Sequence, residues 1–295
     1  LSWFGTASTL GECPRWDAGT GTLSWVDIDG GTLFTAVLEQ GRWRWDSRSV
    51  GAPLAGAVRG ANGEMVLAVG RDLRLRDRLV PVERERGSGP AVRLNEMVTD
   101  PRGRIWVGSM AYDWTPGAGS LHRVGLRGDV TQVVSGVTIA NGIGFSPDAA
   151  TMYATDTHTA RITAWDYDEA SGVPDRPRVL VEVSDGKPDG MAVDTDGNIW
   201  SAMAGAGHVR CFSPAGRELH REPVPVPVPT SCCFAGPGRD RLVVTTSRKR
   251  LADDILARHP ESGRTWDAGR VGATGLPQPP FAGALSAAAP PSASA

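Results

Sequence analysis

Three polar residues interrupt apolar or turn-forming stretches at positions where they could act together. Gly11-Glu12-Cys13-Pro14 sets a carboxylate before a proline, Ala140-Asn141-Gly142-Ile143 an amide in an apolar run, and Lys187-Pro188-Asp189-Gly190-Met191 a second carboxylate between proline and glycine. Two carboxylates and one amide oxygen make a hard-oxygen donor set. It suits Ca²⁺, Mg²⁺ or Mn²⁺ and is open to Zn²⁺ or Fe²⁺. The bland alternative is three separate turn residues. A fourth cluster, Arg93-Leu94-Asn95-Glu96, places Arg93 and Asn95 on one side of a strand by period-two alternation. A guanidinium and an amide so placed can hold substrate oxygens; otherwise they are a solvated edge pair.

Residues so distant in sequence meet only if the fold is repetitive, and the chain does repeat. A turn followed by a strand recurs six times, beginning near Asp17, Asn62, Asp100, Ser146, Asp194 and Gly238. Aligned on Ser24, Val66, Trp106, Tyr153, Trp200 and Val243, the copies lie 42, 40, 47, 47 and 43 residues apart. That period fits a four-stranded propeller blade of roughly 40–50 residues. Asp/Asn-Gly supplies the φ > 0 residues of a hairpin turn, and the residues after it alternate as a half-buried strand does. One such sheet cannot bury its apolar face alone, whereas six in a ring can. Glu12, Asn141 and Asp189 precede their turns by 5, 7 and 5 residues. In equivalent blades they would sit at similar depths on innermost strands and converge on the channel.

The expected architecture is therefore all-β, one six-bladed propeller over residues 1–281 with an Ala/Pro/Ser-rich disordered tail over 282–295. Residues 248–280 are expected to complete the last blade with irregular loops. Pro223 to Pro229 reads as an extended or polyproline connector, because proline is barred from a central strand. The 295 residues carry 31 basic and 33 acidic side chains, a net charge of −2. This balance argues against nucleic-acid partners and polybasic membrane attachment, and no apolar run approaches the roughly 20 residues of a spanning helix. Cys13, Cys211, Cys232 and Cys233 have no metal-binding spacing and read as reduced thiols of a cytoplasmic protein. There is no G-x-S-x-G elbow, phosphate loop or H-E-x-x-H, and the five histidines are scattered. Asp194 to Asn198 looks like a calcium loop but fits a hairpin turn better.

Taken together, Gly11-Glu12-x-Pro14, Arg93-Leu94-Asn95, Gly103-Arg104-x-Trp106-x-Gly108-Ser109-Met110, Asn141-Gly142, Pro188-Asp189-Gly190 and Thr230-Ser231-Cys232-Cys233-Phe234 occur in one order. In this the chain resembles the senescence marker protein-30/gluconolactonase/luciferin-regenerating-enzyme family, which includes regucalcin and bacterial sugar lactonases. The likeness runs from about Gly11 to Thr246 and again around Pro280 to Gly283. It implies a six-bladed propeller with one divalent cation held by Glu12, Asn141 and Asp189. It also implies substrate contacts from Arg93, Asn95 and Asp113, with Tyr112 and Trp114 shaping substrate choice. The implied activity is hydrolysis of a sugar-type lactone, with Asp189 accepting the proton of the attacking water, by a monomer or weak dimer. The family's usual Asn-Asp-Gly is here Asn95-Glu96-Met97, which adds bulk and removes backbone freedom. That departure, with the aromatic Tyr112-Asp113-Trp114 loop, admits a metal-dependent tailoring enzyme for a larger secondary metabolite; a separate alternative is a non-catalytic calcium-binding or protein-interaction propeller.

Overall fold

The computed structural model describes residues 1–284 except 77 and 84–88. Its strands form six four-stranded antiparallel sheets, the six blades of a propeller. The innermost strands are Gly11–Asp17, Leu54–Arg59, Val92–Thr99, Ala140–Phe145, Lys187–Val193 and Pro229–Ala235. Five blades are built from consecutive strands. The sixth is closed by the chain's first strand, Ser2–Phe4, which pairs with Thr265–Arg270 as the outermost strand. Start and end of the ring are thus hydrogen-bonded to each other. A three-residue strand carries no readable period, which is why the sequence does not announce this closure.

Each pair of neighbouring blades encloses its own apolar core. Leu73, Leu94, Met97 and Ile105 fill the wedge between the second and third blades; Trp106, Phe145, Met152 and Tyr167 fill that between the third and fourth. Cys232 packs between the fifth and sixth blades and Cys233 between the sixth and first, so the adjacent thiols do face opposite sides of their strand. All four cysteines are free and buried.

The repeated turns have a specific chemistry. Asp194 accepts hydrogen bonds from the backbone of Asp196 and Asn198 and from the Trp200 indole at 2.9 Å. Asp100 does the same for Arg102, Arg104 and the Trp106 indole. One aspartate therefore fixes both the turn and the tryptophan six residues on, and Asp194 is a turn residue rather than a calcium ligand.

Pro223 ends an outer strand and Pro229 starts an innermost one, the positions where a missing N–H does least harm. Between them Val224 and Val226 are buried. Residues 248–264 contain the short helix Asp253–Arg258. Residues 271–284 then cross the face that carries the hairpin turns. Leu276 N–H donates to Val193 O, Phe281 N–H to Arg59 O, Ala282 N–H to Gly103 O and Ala284 N–H to Leu126 O. The expected tail thus begins bonded to the third blade, and its remainder, 285–295, lies outside the described residues. Among the described residues no helix is long and apolar enough to cross a membrane.

Ring closure rests on Phe4, 4% exposed, stacked on Trp43 at 5.1 Å and edge-on to Trp25 at 5.4 Å. Phe4→Ala is expected to lower the unfolding free energy by about 3–5 kcal/mol, read from urea unfolding. A loss under about 1 kcal/mol would mean that the first strand does not hold the ring.

Candidate metal and substrate site

The start of every innermost strand departs from regular pairing. Register shifts fall between Glu12 and Arg15, Leu54 and Gly56, Leu94 and Met97, Asn141 and Ile143, Pro188 and Met191, and Pro229 and Ser231. A bulge leaves residues unpaired and re-aims their side chains. Cys13, Asn95, Glu96 and Asp189 lie within these shifts, and Glu12 and Asn141 border them. The bulges thus occur at one level around the ring, at the end of the channel away from the hairpin turns.

Glycine lets the strands close at this level. A Cβ on Gly142 would stand 2.6 Å from the Asp189 carbonyl oxygen, and one on Gly190 would stand 2.4 Å from the Ser231 Cβ. The Asn141-Gly142 and Asp189-Gly190 pairs are therefore steric requirements: each polar residue is followed by one that admits the neighbouring blade.

Arg93, Asn95 and Asn141 form a hydrogen-bonded chain across two blades. Arg93 Nη1 donates to Asn95 Oδ1 at 2.7 Å, and Asn95 Nδ2 donates to Asn141 Oδ1 and to the Ala140 carbonyl, both at 2.9 Å. Asn141 Nδ2 donates to Thr157 Oγ1 at 2.9 Å, whose hydroxyl donates to the Pro188 carbonyl at 2.8 Å. The amides are held in one orientation, with the Asn141 oxygen turned toward Asn95.

The carboxylates lie beside this chain. Glu12 is 4% and Asp189 7% exposed. Burial pushes the Glu12 carboxyl well above its usual pKa, and the charges of Asp189 and Glu96 push it further. Asp189 is raised the same way, first by burial and then by Glu96. Its Oδ1 is buried and has no hydrogen-bond partner. Burial lowers the Arg93 pKa, opposed by Asp29, Tyr112 and Glu12. A buried carboxylate oxygen without a partner beside a second raised carboxyl is an environment short of positive charge, and a divalent cation would supply it.

Glu96 acts on both carboxyls, although its spacing in the sequence does not mark it as functional. It is 1% exposed, forms an ion pair with Arg15 at 2.7 Å and accepts the Cys13 thiol at 3.0 Å. Arg15 also donates to the Met97 carbonyl at 2.7 Å, which stretches its side chain between blades. Met97 is fully buried, and a Cβ on Gly56 would meet its own Cβ at 3.0 Å. The bulk of Glu96-Met97 is thus taken up inside the propeller. The signal in the sequence was the unusual Asn95-Glu96-Met97 itself; its partner Arg15 is 81 residues away.

Asp113 is not drawn into this cluster. It is exposed, and its Oδ1 accepts from the Thr115 backbone at 3.0 Å and the Thr115 hydroxyl at 2.7 Å. These bonds hold its pKa below the usual carboxylate value. Trp114 is 42% exposed with the Arg250 guanidinium 4.1 Å from its ring centre, and Tyr112 is 53% exposed. His158 is exposed and its carbonyl accepts Lys187. Ser109, His122 and Glu83 are a chemically suggestive trio, but both Ser109 Oγ and His122 Nε2 bond to Glu83 Oε1, at 2.5 and 3.0 Å, and all three are buried. With no serine–histidine bond and no access, they brace the third blade. A cavity of about 290 Å³ lies at the opposite end of the channel, lined by Phe145, Met191, Phe234 and the crossing segment Gly275–Pro279. It has none of the converging carboxylates and is not the candidate site.

The raised carboxyls set a pH dependence. Unfolded, Glu12 and Asp189 titrate near 4.5 and 3.8; folded, well above. Between those limits the folded chain binds more protons than the unfolded one, so its cation-free stability falls as pH rises through the window. Asp189→Asn removes one contributor. The cation-free variant is expected to melt higher than wild type at about pH 7, with the difference vanishing near pH 4. Added Ca²⁺ or Mn²⁺ is expected to raise the wild-type Tm and to leave that of the variant nearly unchanged. Thermal melts across this pH range check it, and a variant no more stable than wild type at neutral pH contradicts it.

Residues 10–248 match the model of the SMP-30/gluconolactonase/LRE-like region. The chain is 36% identical over 247 residues to a pentonolactonase of Haloferax volcanii, covering 82% of this chain and 83% of the relative. It is 31% identical over 293 residues to regucalcin of Xenopus laevis, covering 93% and 95%. The crystal structure of a calcium-binding protein, regucalcin, from Agrobacterium tumefaciens superposes with a TM-score of 0.86 at 30% identity, over 94% of this chain and 95% of that one. With the family model matching residues 10–248 and relatives above 30% identity covering most of the chain, the protein belongs to the SMP-30/gluconolactonase/LRE-like family.

Proposed function

We propose that this chain is a divalent-cation-dependent hydrolase that opens the ester ring of a sugar-type lactone. The observation that supports the reading is that Glu12 and Asp189, buried on the innermost strands of two blades, lie within electrostatic reach of each other, with Asn141 on a third innermost strand and a buried, unpartnered oxygen on Asp189. Kinship with a pentonolactonase supports the substrate class, and kinship with a calcium-binding regucalcin supports the cation. The donor set fits a hard or borderline ion: two carboxylates and one amide oxygen. Glu12, Asn141 and Asp189 would hold it. When bound, the cation supplies Lewis-acid stabilisation to the lactone carbonyl oxygen as negative charge develops there.

The protein's own groups account for the rest. Arg93 and Asn95 are fixed by their mutual hydrogen bond; Arg93 offers its remaining N–H donors and Asn95 Oδ1 its second lone pair to ring hydroxyls, so binding orients the lactone without a covalent intermediate. Asp189 accepts the proton of the water that adds to the carbonyl carbon. The ring C–O bond breaks, the ring oxygen takes up a proton, and the new carboxylic acid ionises to release one proton to solution. Tyr112, whose charge acts on Arg93, and Trp114 two residues on are both exposed and would contact substituents beyond the ring.

Metal-stripped protein is expected to be inactive on an aldonolactone panel in a pH-indicator assay and to recover when a divalent ion is restored. Asp189→Asn is expected to lose activity by about 10²-fold or more. Unchanged turnover after stripping refutes the reading. Tight calcium binding with no turnover on aldonolactones or larger aromatic lactones would favour a binding propeller instead.

A further inference from the structure

We propose that Glu12, Cys13 and Glu96 form a second, deeper cation position, selective for a thiophilic divalent ion such as Zn²⁺. One ligand atom from each lies within 4.8 Å of the others, and among the described residues no other group of histidine, cysteine or carboxylate side chains gathers this closely. The three are 4%, 1% and 1% exposed. Asp189 is outside this cluster. The deep set therefore has a different centre from the Glu12–Asn141–Asp189 set and shares only Glu12 with it.

The donors are gathered to within a modest rearrangement of what a small tetrahedral ion needs. Zinc bonds of about 2.3 Å to sulfur and about 2.1 Å to oxygen give donor–donor edges of roughly 3.4–3.6 Å. Cys13 Sγ is already 3.0 Å from Glu96 Oε1. The Ala55 carbonyl also accepts from the Cys13 thiol, at 3.0 Å. Cys13 sits at φ +50 inside its bulge, a conformation that non-glycine residues rarely adopt and that turns the thiol toward the third blade.

The buried, unpartnered Asp189 Oδ1 that supports the first site shows that positive charge is short in this part of the channel. Arg15 already serves Glu96, while Glu12 receives only the Cys13 N–H at 3.2 Å among its hydrogen bonds. When an ion binds, the Cys13 S–H bond breaks, its proton leaves to solvent and a sulfur–metal bond forms. Sulfur is what separates this position from a hard-oxygen site: Ca²⁺ and Mg²⁺ gain nothing from it, whereas Zn²⁺, Co²⁺ and Cd²⁺ do. The deep position stands on its own geometry; only the sharing of Glu12 rests on the ligand set of the proposed function.

Titration of the metal-free full chain with Co²⁺ under reducing, oxygen-free conditions tests this. A near-ultraviolet sulfur-to-cobalt charge-transfer band is expected, saturating with one bound ion. Cys13→Ser is expected to abolish the band, Glu96→Gln to weaken cobalt binding at least roughly tenfold, and Asn141→Ala to retain the band. The wild-type spectrum decides the matter even if a variant does not fold. Cobalt bound without the band, no cobalt bound, or a band that survives Cys13→Ser overturns the proposal. Calcium-supported lactone hydrolysis, measured separately, then still stands or falls alone.

Discussion

Glu12, Glu96 and Asp189 come from three different blades, yet their side chains are buried within electrostatic reach of one another. Arg15 neutralises Glu96, and Arg93 acts on both Glu12 and Asp189 from a position that is itself costly to charge. Such an arrangement opposes folding unless something else supplies positive charge. The other features follow from keeping these groups together. Glycines at 142 and 190 let blades approach, bulges turn the side chains inward, and the amides of Asn95 and Asn141 are locked by each other and by Thr157. In the proposed function, stability is given up at one end of the channel in exchange for a cation site.

The propeller supplies this at little cost because each blade is supported elsewhere. Apolar wedges between neighbours, tryptophans tied to turn aspartates, and the first strand closing the last blade make the scaffold rigid without help from the site. Residues 271–284 brace the far end. Donors mounted on innermost strands are held more firmly than donors on loops. The contrast with Asp113 is instructive: on a loop, its carboxylate satisfies itself on Thr115 and stays in water.

Much of this was legible in the chain. Asp/Asn-Gly turns at a blade-length period announce six sheets, because turn chemistry is local and each turn is followed by a strand. The polar interruptions at Glu12, Asn141 and Asp189 were visible for the same reason. What escaped depends on partners distant in sequence. The common bulge level has no residue signature of its own. The tie between Arg15 and Glu96 spans 81 residues. Cys13 read as a bland thiol until the third blade placed Glu96 beside it. The Asp113-x-Thr115 turn is local and could have been read, since Asp at such a position bonds its own backbone two residues on.

The central claim is that one buried constellation, assembled by the ring, exists to hold a divalent cation. Anomalous diffraction from crystals soaked with Mn²⁺ examines this most directly. The account predicts a single strong peak within bonding distance of the Glu12, Asn141 and Asp189 oxygens. A channel with no peak at full soaking, or a peak held by other residues, would contradict it.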